Sequence, residues 1–252
     1  MAQRGPHSTL SHPSDRPSPF ARARTAGVVW LLYFVIGVAG TLLMKGVVVR
    51  DDAAATATNL LAHGAIYSAG ASFDLLGNCA YVVLAIVLYG VFKKVDRNAA
   101  LLATTFNLAG CITQIIGGLL RFVPFVLLRD NQAFSAFSAQ QLQAAALFSL
   151  RLYGSVFSIS FVLFGFFEML LGYLILKSNY FPRWFGWLWI VAGVGAATFL
   201  WPPFATKIFP VILAFDVVEL ALAIWLIAKG RLIDSTLAPR MAMAQIDRPE
   251  RG

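Results

Sequence analysis

Long apolar runs alternate with short polar breaks along most of the chain. They extend over about residues 26–49, 66–92 and 98–128, then a fourth reaching Lys177, then about 184–201 and 206–229. Each is long enough for the roughly 20 apolar residues that a helix needs to cross a bilayer. The pattern predicts an all-α fold: an integral membrane bundle of six transmembrane helices filling residues 25–230. The flanking segments, 1–24 and 231–252, are polar and lack an apolar period. They are expected to be disordered tails.

The breaks are as informative as the runs. Around Phe161 to Gly195 two runs meet at Lys177-Ser178-Asn179-Tyr180-Phe181-Pro182-Arg183, a turn too polar for lipid that contains a helix breaker. Trp184, Trp187 and Trp189 open the second run and are expected to anchor at the membrane–water interface. The stretch Asp51–Gly64 is small and polar, and reads as a loop with a partial helix. Pro124 should kink the third helix, because it removes the backbone bond to Leu120. Ser138-Ala139-Gln140-Gln141 has the form of a capping box opening a helix. Pro202-Pro203 ends the fifth run, Pro210 is tolerable in the first turn of the sixth helix, and Gly230 caps it.

Composition supports the bilayer as the principal partner. Hydrophobic residues make up 59% of the 252, charged residues only 13%, and the mean hydropathy is +0.73. Soluble domains usually carry about 25% charged residues. The formal net charge of +8 does not indicate a nucleic-acid partner, because the basic residues stand at the ends of apolar runs. Fourteen lie in the tails and in the second–third and fourth–fifth connections: Arg4, Arg16, Arg22, Arg24, Lys93, Lys94, Arg97, Lys177, Arg183, Lys229, Arg231, Arg240, Arg248 and Arg251. Only Lys45, Arg50, Arg129 and Lys207 belong to the other side. The positive-inside rule then places both termini in the cytoplasm, as an even number of spans requires.

Six ionisable residues remain inside the runs: Asp74, Arg121, Arg151, Glu168, Asp216 and Glu219. A charge at a helix centre costs about 2.5–3.5 kcal/mol on insertion scales, so these should face the bundle interior. Helical spacing agrees. Asn107, Cys111, Gln114, Gly118 and Arg121 share one stripe; so do Gly70, Asp74, Asn78 and Tyr81; Gly165, Glu168 and Gly172 share a third. Asp216 and Glu219 lie one turn apart. Counting about 1.5 Å per residue from the basic ends, Glu168 and Glu219 lie about 14–15 Å deep, Asp216 about 20 Å, Asp74 about 27 Å, and Arg121 and Arg151 about 34–39 Å. The expectation is a midplane layer of acids and an outer layer in which Asp74 meets two arginines. Asn78, Asn107 and Gln114 join them as candidate ligand- or proton-binding residues, or as hydrogen-bonding glue between helices.

Other chemistry has little footing. Cys79 and Cys111 lie in apolar runs and read as small core residues, not as a disulfide or reactive thiols. His7 and His12 lie in the tail and His63 in a loop, so no metal-ligand spacing exists. There is no P-loop, no G-x-G-x-x-G and no G-x-S-x-G, hence no cofactor is expected. No nucleophile–base pair is visible, which makes catalysis the weaker expectation. No internal repeat of the kind many transporters carry is visible.

Leu88-Tyr89-Gly90, Phe164-Gly165, the run Leu171-Gly172-Tyr173-Leu174-Ile175-Leu176-Lys177-Ser178, Pro182-Arg183, Gly186, Glu219, Trp225-Leu226 and Lys229-Gly230 carry a family likeness. Over about residues 24–230 the chain resembles a bacterial family catalogued as domain of unknown function 4386. The resemblance implies a multi-pass protein of the bacterial inner membrane and brings no activity, cofactor or catalytic residue with it. The functional expectation is therefore a polar interior pocket, open toward the outside, that binds a small ligand, a lipid headgroup or a proton. The rivals are a small proton-coupled transporter using Glu168 and Glu219, and a scaffold whose polar residues only hold helices together.

Overall fold

The computed structural model describes residues 19–49, 51–129, 132–178, 181–205, 207–208, 210–211 and 219–228. Asp216, the Gly230 cap and the C-terminal tail fall outside the described residues, as does the N-terminal tail before Pro19. The described residues form α1 (Pro19–Met44), α2 (Ala53–Ala62), α3 (Gly64–Phe92), α4 (Arg97–Gly118), α5 (Val123–Arg129), α6 (Ala139–Ser178), α7 (Arg183–Ala197) and α8 (Glu219–Ala228). Among the described residues, five helices are long and apolar enough to cross a membrane, counting α4 and α5 as one path from Arg97 to Arg129. There is no strand among the described residues.

Local chemistry explains the boundaries. α1 starts at Pro19, earlier than the expected edge of the tail at 25, because Pro fits a first turn and nothing from Phe20 to Thr25 breaks a helix. It stops at Met44, not near Val49: Gly46 takes φ +80°, the left-handed conformation that ends helices. The stretch expected to be mainly loop is largely α2. Asp52 caps it, accepting from Ala55 N at 2.8 Å, and Thr56 Oγ1 and Asn59 Nδ2 bond the backbone of Val49 and Val47. Pro124 acts as predicted: the path tightens into a 3₁₀ turn at Leu119–Arg121 just before it. The capping box is reciprocal, with Ser138 N on Gln141 Oε1 at 2.8 Å and Gln141 N on Ser138 Oγ at 3.2 Å. After α7 the chain makes a 3₁₀ turn, Thr198–Leu200, and helix resumes at 202, four residues before the expected start at Thr206, with Pro202 and Pro203 in its first turn.

α6 is the hub. Its 40 residues rise about 60 Å, twice the ~30 Å hydrocarbon core. α7 lies antiparallel against it on two glycine pairs. A Cβ on Gly165 would sit 2.6 Å from Gly193 O, and one on Gly172 would sit 2.6 Å from Gly186 O. α4 packs on α6 with Gly110 under the Phe164 ring and Gly117 under Val156. α1 crosses α3 at Gly40 and Gly70, and meets α8 where Gly27 faces Ala223 O.

Asp96 caps α4 and takes Lys177 Nζ at 2.8 Å, and Phe92 stacks near Phe181, so Lys93, Lys94, Arg97, Lys177 and Arg183 share one end of the bundle. The half nearest this basic end is a dense core that includes Leu84, Leu88, Phe92, Leu171, Ile175 and Phe185. At the far end α2 and α5 pack on the first part of α6, with Leu60, Tyr67, Phe125 and Leu150 in one cluster.

Two outcomes follow from this packing. Gly193→Leu should separate α6 from α7 at a cost of about 1–3 kcal/mol, the usual range for overpacking, a fall of roughly 5 °C in Tm for a chain of this size. Gly37→Ala, where nothing lies within 4 Å of the built Cβ, should hold or raise Tm in the same detergent melt. At the basic end, the hydrogen bond from Lys177 and then the Ala99 amide lower the Asp96 carboxyl to about 2 from its usual 3.8. Because the folded value is the lower one, its contribution is complete above pH 4 and lost as pH falls toward 2. Asp96→Asn should therefore melt below wild type at pH 6, and the gap should close as pH drops through that window.

Candidate functional site

The far half of the bundle is not solid. A cavity of about 700 Å³ lies between α1, α3, α4, α6, α7 and α8. It exists because small residues face it where the basic half carries bulk: Gly37 on α1 and Gly154 on α6 have nothing within 4 Å of a built Cβ.

The far pole of the cavity holds an ion pair. Arg121 Nη1 lies 3.4 Å from Asp74 Oδ2, their side chains 13% and 30% exposed. The 3₁₀ turn before Pro124 carries this arginine. Its guanidinium lies 3.9 Å from the centre of the Tyr153 ring, and Nη1 is also 3.1 Å from Met44 Sδ. Tyr153 donates its hydroxyl to Asp74 Oδ2 at 3.4 Å, and Asn78 Nδ2 donates to the Asp74 carbonyl at 2.9 Å. Arg121 is thus held on three sides: by a carboxylate, a ring face and a thioether.

The opposite pole, near mid-bundle, carries Glu168 from α6 and Glu219 from α8. Trp30 Nε1 donates to Glu219 Oε2 at 3.4 Å, and Trp30 packs on Trp189 with centroids 5.3 Å apart. Rings connect the two poles. Tyr33 stacks on Tyr81 at 4.4 Å, Tyr81 meets Phe164 edge-on at 5.4 Å, and Phe161 and Phe157 continue the series to Tyr153.

Of the sequence candidates, Asp74, Asn78, Gln114, Arg121, Glu168 and Glu219 all line this cavity. Three do not join them here. Asp216 lies outside the described residues. Asn107 is fully buried, with Oδ1 accepting from Cys111 Sγ at 3.5 Å, and is not among the lining residues. Arg151 does not share Asp74: it pairs with Asp51, and the two side chains are 59% and 87% exposed. The expected outer layer of one acid and two arginines is therefore two separate pairs. Asp51, at the mouth of the α1–α2 connection, reads in sequence only as a helix-end charge. Trp189 corrects the interfacial reading. Trp184 and Trp187 are 58% and 59% exposed, as anchors should be, but Trp189 is 1% exposed and lines the cavity. Trp189 stands two positions after Trp187, about 200° around a helix, so they cannot share a face. Cys79 is exposed, not in the core; Cys111 is buried. The aromatic wall and Tyr153 were not legible, since a ring on an apolar helix looks the same whether it packs or lines a space. Among the described residues no group of three His, Cys, Asp or Glu is placed to hold a metal.

A family model described as a domain of unknown function (DUF4386) matches residues 25–230. The chain belongs to that family. It is also similar to an uncharacterised protein of Archaeoglobus fulgidus, 23% identical over 157 residues, which are 62% of this chain and 81% of that protein. That relative is archaeal, so similar chains are not confined to bacteria. No solved structure matches. The match to DUF4386 contains every cavity-lining residue named above.

The two arginines of this DUF4386 member should behave differently. Arg121→Gln leaves a mostly buried Asp74 without its charge partner, a loss of about 1–3 kcal/mol or more. Arg151→Gln breaks an exposed pair worth about 0–1 kcal/mol. Detergent melts of the two variants should rank in that order, and equal losses would mean that the Asp74–Arg121 pair is as solvated as the surface one.

Proposed function

We propose that this DUF4386 member is a ligand-binding protein of the bacterial inner membrane, with six spans and both termini in the cytoplasm. The single observation that carries the binding reading is the cavity of about 700 Å³ with ionisable groups at both poles. Small-molecule sites run to roughly 300–1,000 Å³ and pair apolar walls with a few placed polar groups. A scaffold needs no such space. The core filling the basic half favours a pocket facing the far side over a path through the bundle. The orientation rests on charge: Lys93, Lys94, Arg97, Lys177 and Arg183 at one end, Lys45, Arg129 and Lys207 toward the other. The sixth span rests on the apolar run 206–229, whose final turns are α8.

Cysteine scanning with a charged, impermeant methanethiosulfonate tests both parts. In a background without Cys79 and Cys111, cysteines at Gly37 and Gly77, both lining positions with room for a Cβ, should react from outside intact cells. So should one at Ser138, whereas one at Asn179 should react only after permeabilisation. Silence at Gly37 and Gly77 beside a reactive Ser138 would mean a dry interior and would remove the binding reading. Reversal of Ser138 and Asn179 would overturn the orientation.

A further inference from the structure

A second space lies on the outside of α6. It is a groove of about 540 Å³, walled on one side by Phe199, Leu200 and Pro202 from the turn after α7. On α6 it begins at Arg151, passes Ser155 and Ser158, and ends at Val162 and Leu163. Arg151 is the one charged residue among the described lining, and it pairs with Asp51, the two side chains 59% and 87% exposed. The groove thus passes from an ion pair, past hydroxyls, to an apolar floor. Headgroup, ester and acyl chain follow one another in the same order across a leaflet. The depths agree. Arg151 and the basic-end Lys177 lie about 39 Å apart along α6 at about 1.5 Å per residue, close to the roughly 40–45 Å of a bilayer with its headgroup regions. Leu163 lies about 18 Å deeper than Arg151 on the same rise, near the midplane. Ile159 and Leu200 are strongly exposed, so the apolar part is open sideways to acyl chains.

We propose that this groove docks a zwitterionic phospholipid of the phosphatidylethanolamine type, in the leaflet opposite the basic end, with its phosphate on Arg151 and its ammonium on Asp51. The site is separate from the cavity and does not rest on the cavity reading. An exposed ion pair stabilises a fold little; at the head of a groove it presents both signs of charge to a headgroup. Arginine carries five N–H donors, and the pair engages Nη2. The remaining donors suit phosphate oxygens, the partners a guanidinium can take two at a time. Asp51 accepts from Arg151 on Oδ1, and a carboxylate has about four lone-pair sites, so it can accept an ammonium N–H as well. An anionic headgroup gains less, because Asp51 already neutralises the guanidinium and repels a second anion. A choline headgroup brings no N–H to the carboxylate. Ser155, one turn deeper than Arg151, offers a hydroxyl at the level of the ester carbonyls. Phe199, Val162 and Leu163 then receive the chain.

The test uses the purified, delipidated full chain in a non-ionic detergent, titrated with phosphatidylethanolamine, phosphatidylglycerol and phosphatidylcholine of matched acyl chains and followed by native mass spectrometry. Phosphatidylethanolamine should bind one per chain and at least tenfold more tightly than either of the others. Arg151→Gln should weaken it at least tenfold. Asp51→Asn should weaken it as much while tightening phosphatidylglycerol, because the guanidinium is then left to an anion. Ser158→Phe, which puts a ring into the groove, should abolish it; if that variant fails to fold, Leu200→Trp fills the groove from its other wall. Soluble phosphoethanolamine should not compete at the lipid concentrations used. Equal binding of the three lipids would mean annular contact only and would overturn the proposal, as would a preference for phosphatidylglycerol, which a lone arginine would give. Effective competition by phosphoethanolamine would put the affinity in the headgroup alone and overturn the groove as a lipid site. Phosphatidylethanolamine binding that survives both groove-filling variants, or the Asp51→Asn, Arg151→Gln double variant, places the lipid elsewhere and overturns it too.

Discussion

The contact on which the bundle depends is the approach of α7 to α6 across four glycines. Inside a bilayer there is no water to expel between helices, so association relies on close van der Waals packing and the small residues that permit it. Gly165 faces Gly193 and Gly172 faces Gly186, so close that a Cβ on any of the four would come within 2.5–2.8 Å of the partner's carbonyl oxygen. Both pairs are seven residues apart on each helix, which is the heptad interval, and they run in opposite directions along the chain. A seven-residue repeat keeps one seam of an α-helix facing its partner with little drift. The register of α7 on α6 is therefore fixed at two points by backbone against backbone, and the basic turn between them has only to close a short gap. α4 uses the same interval on the other side of α6, with Gly110 and Gly117 receiving Phe164 and Val156.

The same residue type does the opposite job elsewhere. A Cβ built on Gly37 or Gly154 would meet nothing within 4 Å, and both border the cavity. A glycine that meets a neighbouring helix draws the backbones together; a glycine that meets nothing leaves a space that another side chain would have filled. The bundle thus divides along its length. Toward the basic end, Leu84, Leu88, Leu171 and Ile175 interdigitate. Beyond Tyr81 and Phe164 the cavity opens between helices that still touch at its edges, α1 on α3 at Gly40 and Gly70 and α4 on α6 at Gly117, and α6, longer than the bilayer is thick, carries Tyr153 up to Arg121 and then Arg151 out to Asp51. Arg121, on the turn after α4, meets the Tyr153 ring and is mostly buried, whereas Arg151, on α6 itself, pairs with Asp51 and is exposed.

Much of this was legible in the sequence for reasons that are local. Length and apolarity mark spans, Pro124 marks a break, and Ser138 with Gln141 marks a cap, because each signal acts on backbone within one or two turns. Stripes also transferred well: Asp74 with Asn78, and Gln114 with Arg121, reach one cavity because 3.6-residue periodicity is a property of a single helix. What failed was pairing between helices. Depth counted from helix ends put Arg121 and Arg151 in one layer with Asp74, but depth says nothing about azimuth, and Arg151 points to the α1–α2 connection instead. The neighbouring glycines make the same point. Gly118 lies on the polar stripe and a Cβ there would meet nothing within 4 Å, whereas Gly117, one residue earlier, is the one that meets α6. Trp189 was misread with Trp184 and Trp187 because composition near a turn outweighed the phase of a single residue.

The carboxylates at mid-bundle are the hardest feature to explain by packing. The helices that carry them are already held without them: α6 by its glycine seams to α7 and α4, and α8 by Ala223 over Gly27. Asn107 is sealed in the core: it is neutral and fully buried, and its Oδ1 accepts from Cys111 Sγ one turn along the same helix. Glu168 and Glu219 differ on each count. They are ionisable, they border open space, and they come from helices far apart in the chain. Such groups are costly at this depth, and replacement by leucine would cost the seams nothing. The far pole shows how this fold accommodates an intramembrane acid, by giving Asp74 a cation seated on a ring. At mid-bundle the acids stand instead among rings and beside open space, with the Trp30 indole donating to Glu219 Oε2 at 3.4 Å, so position in the cavity and not helix packing is what sets them apart.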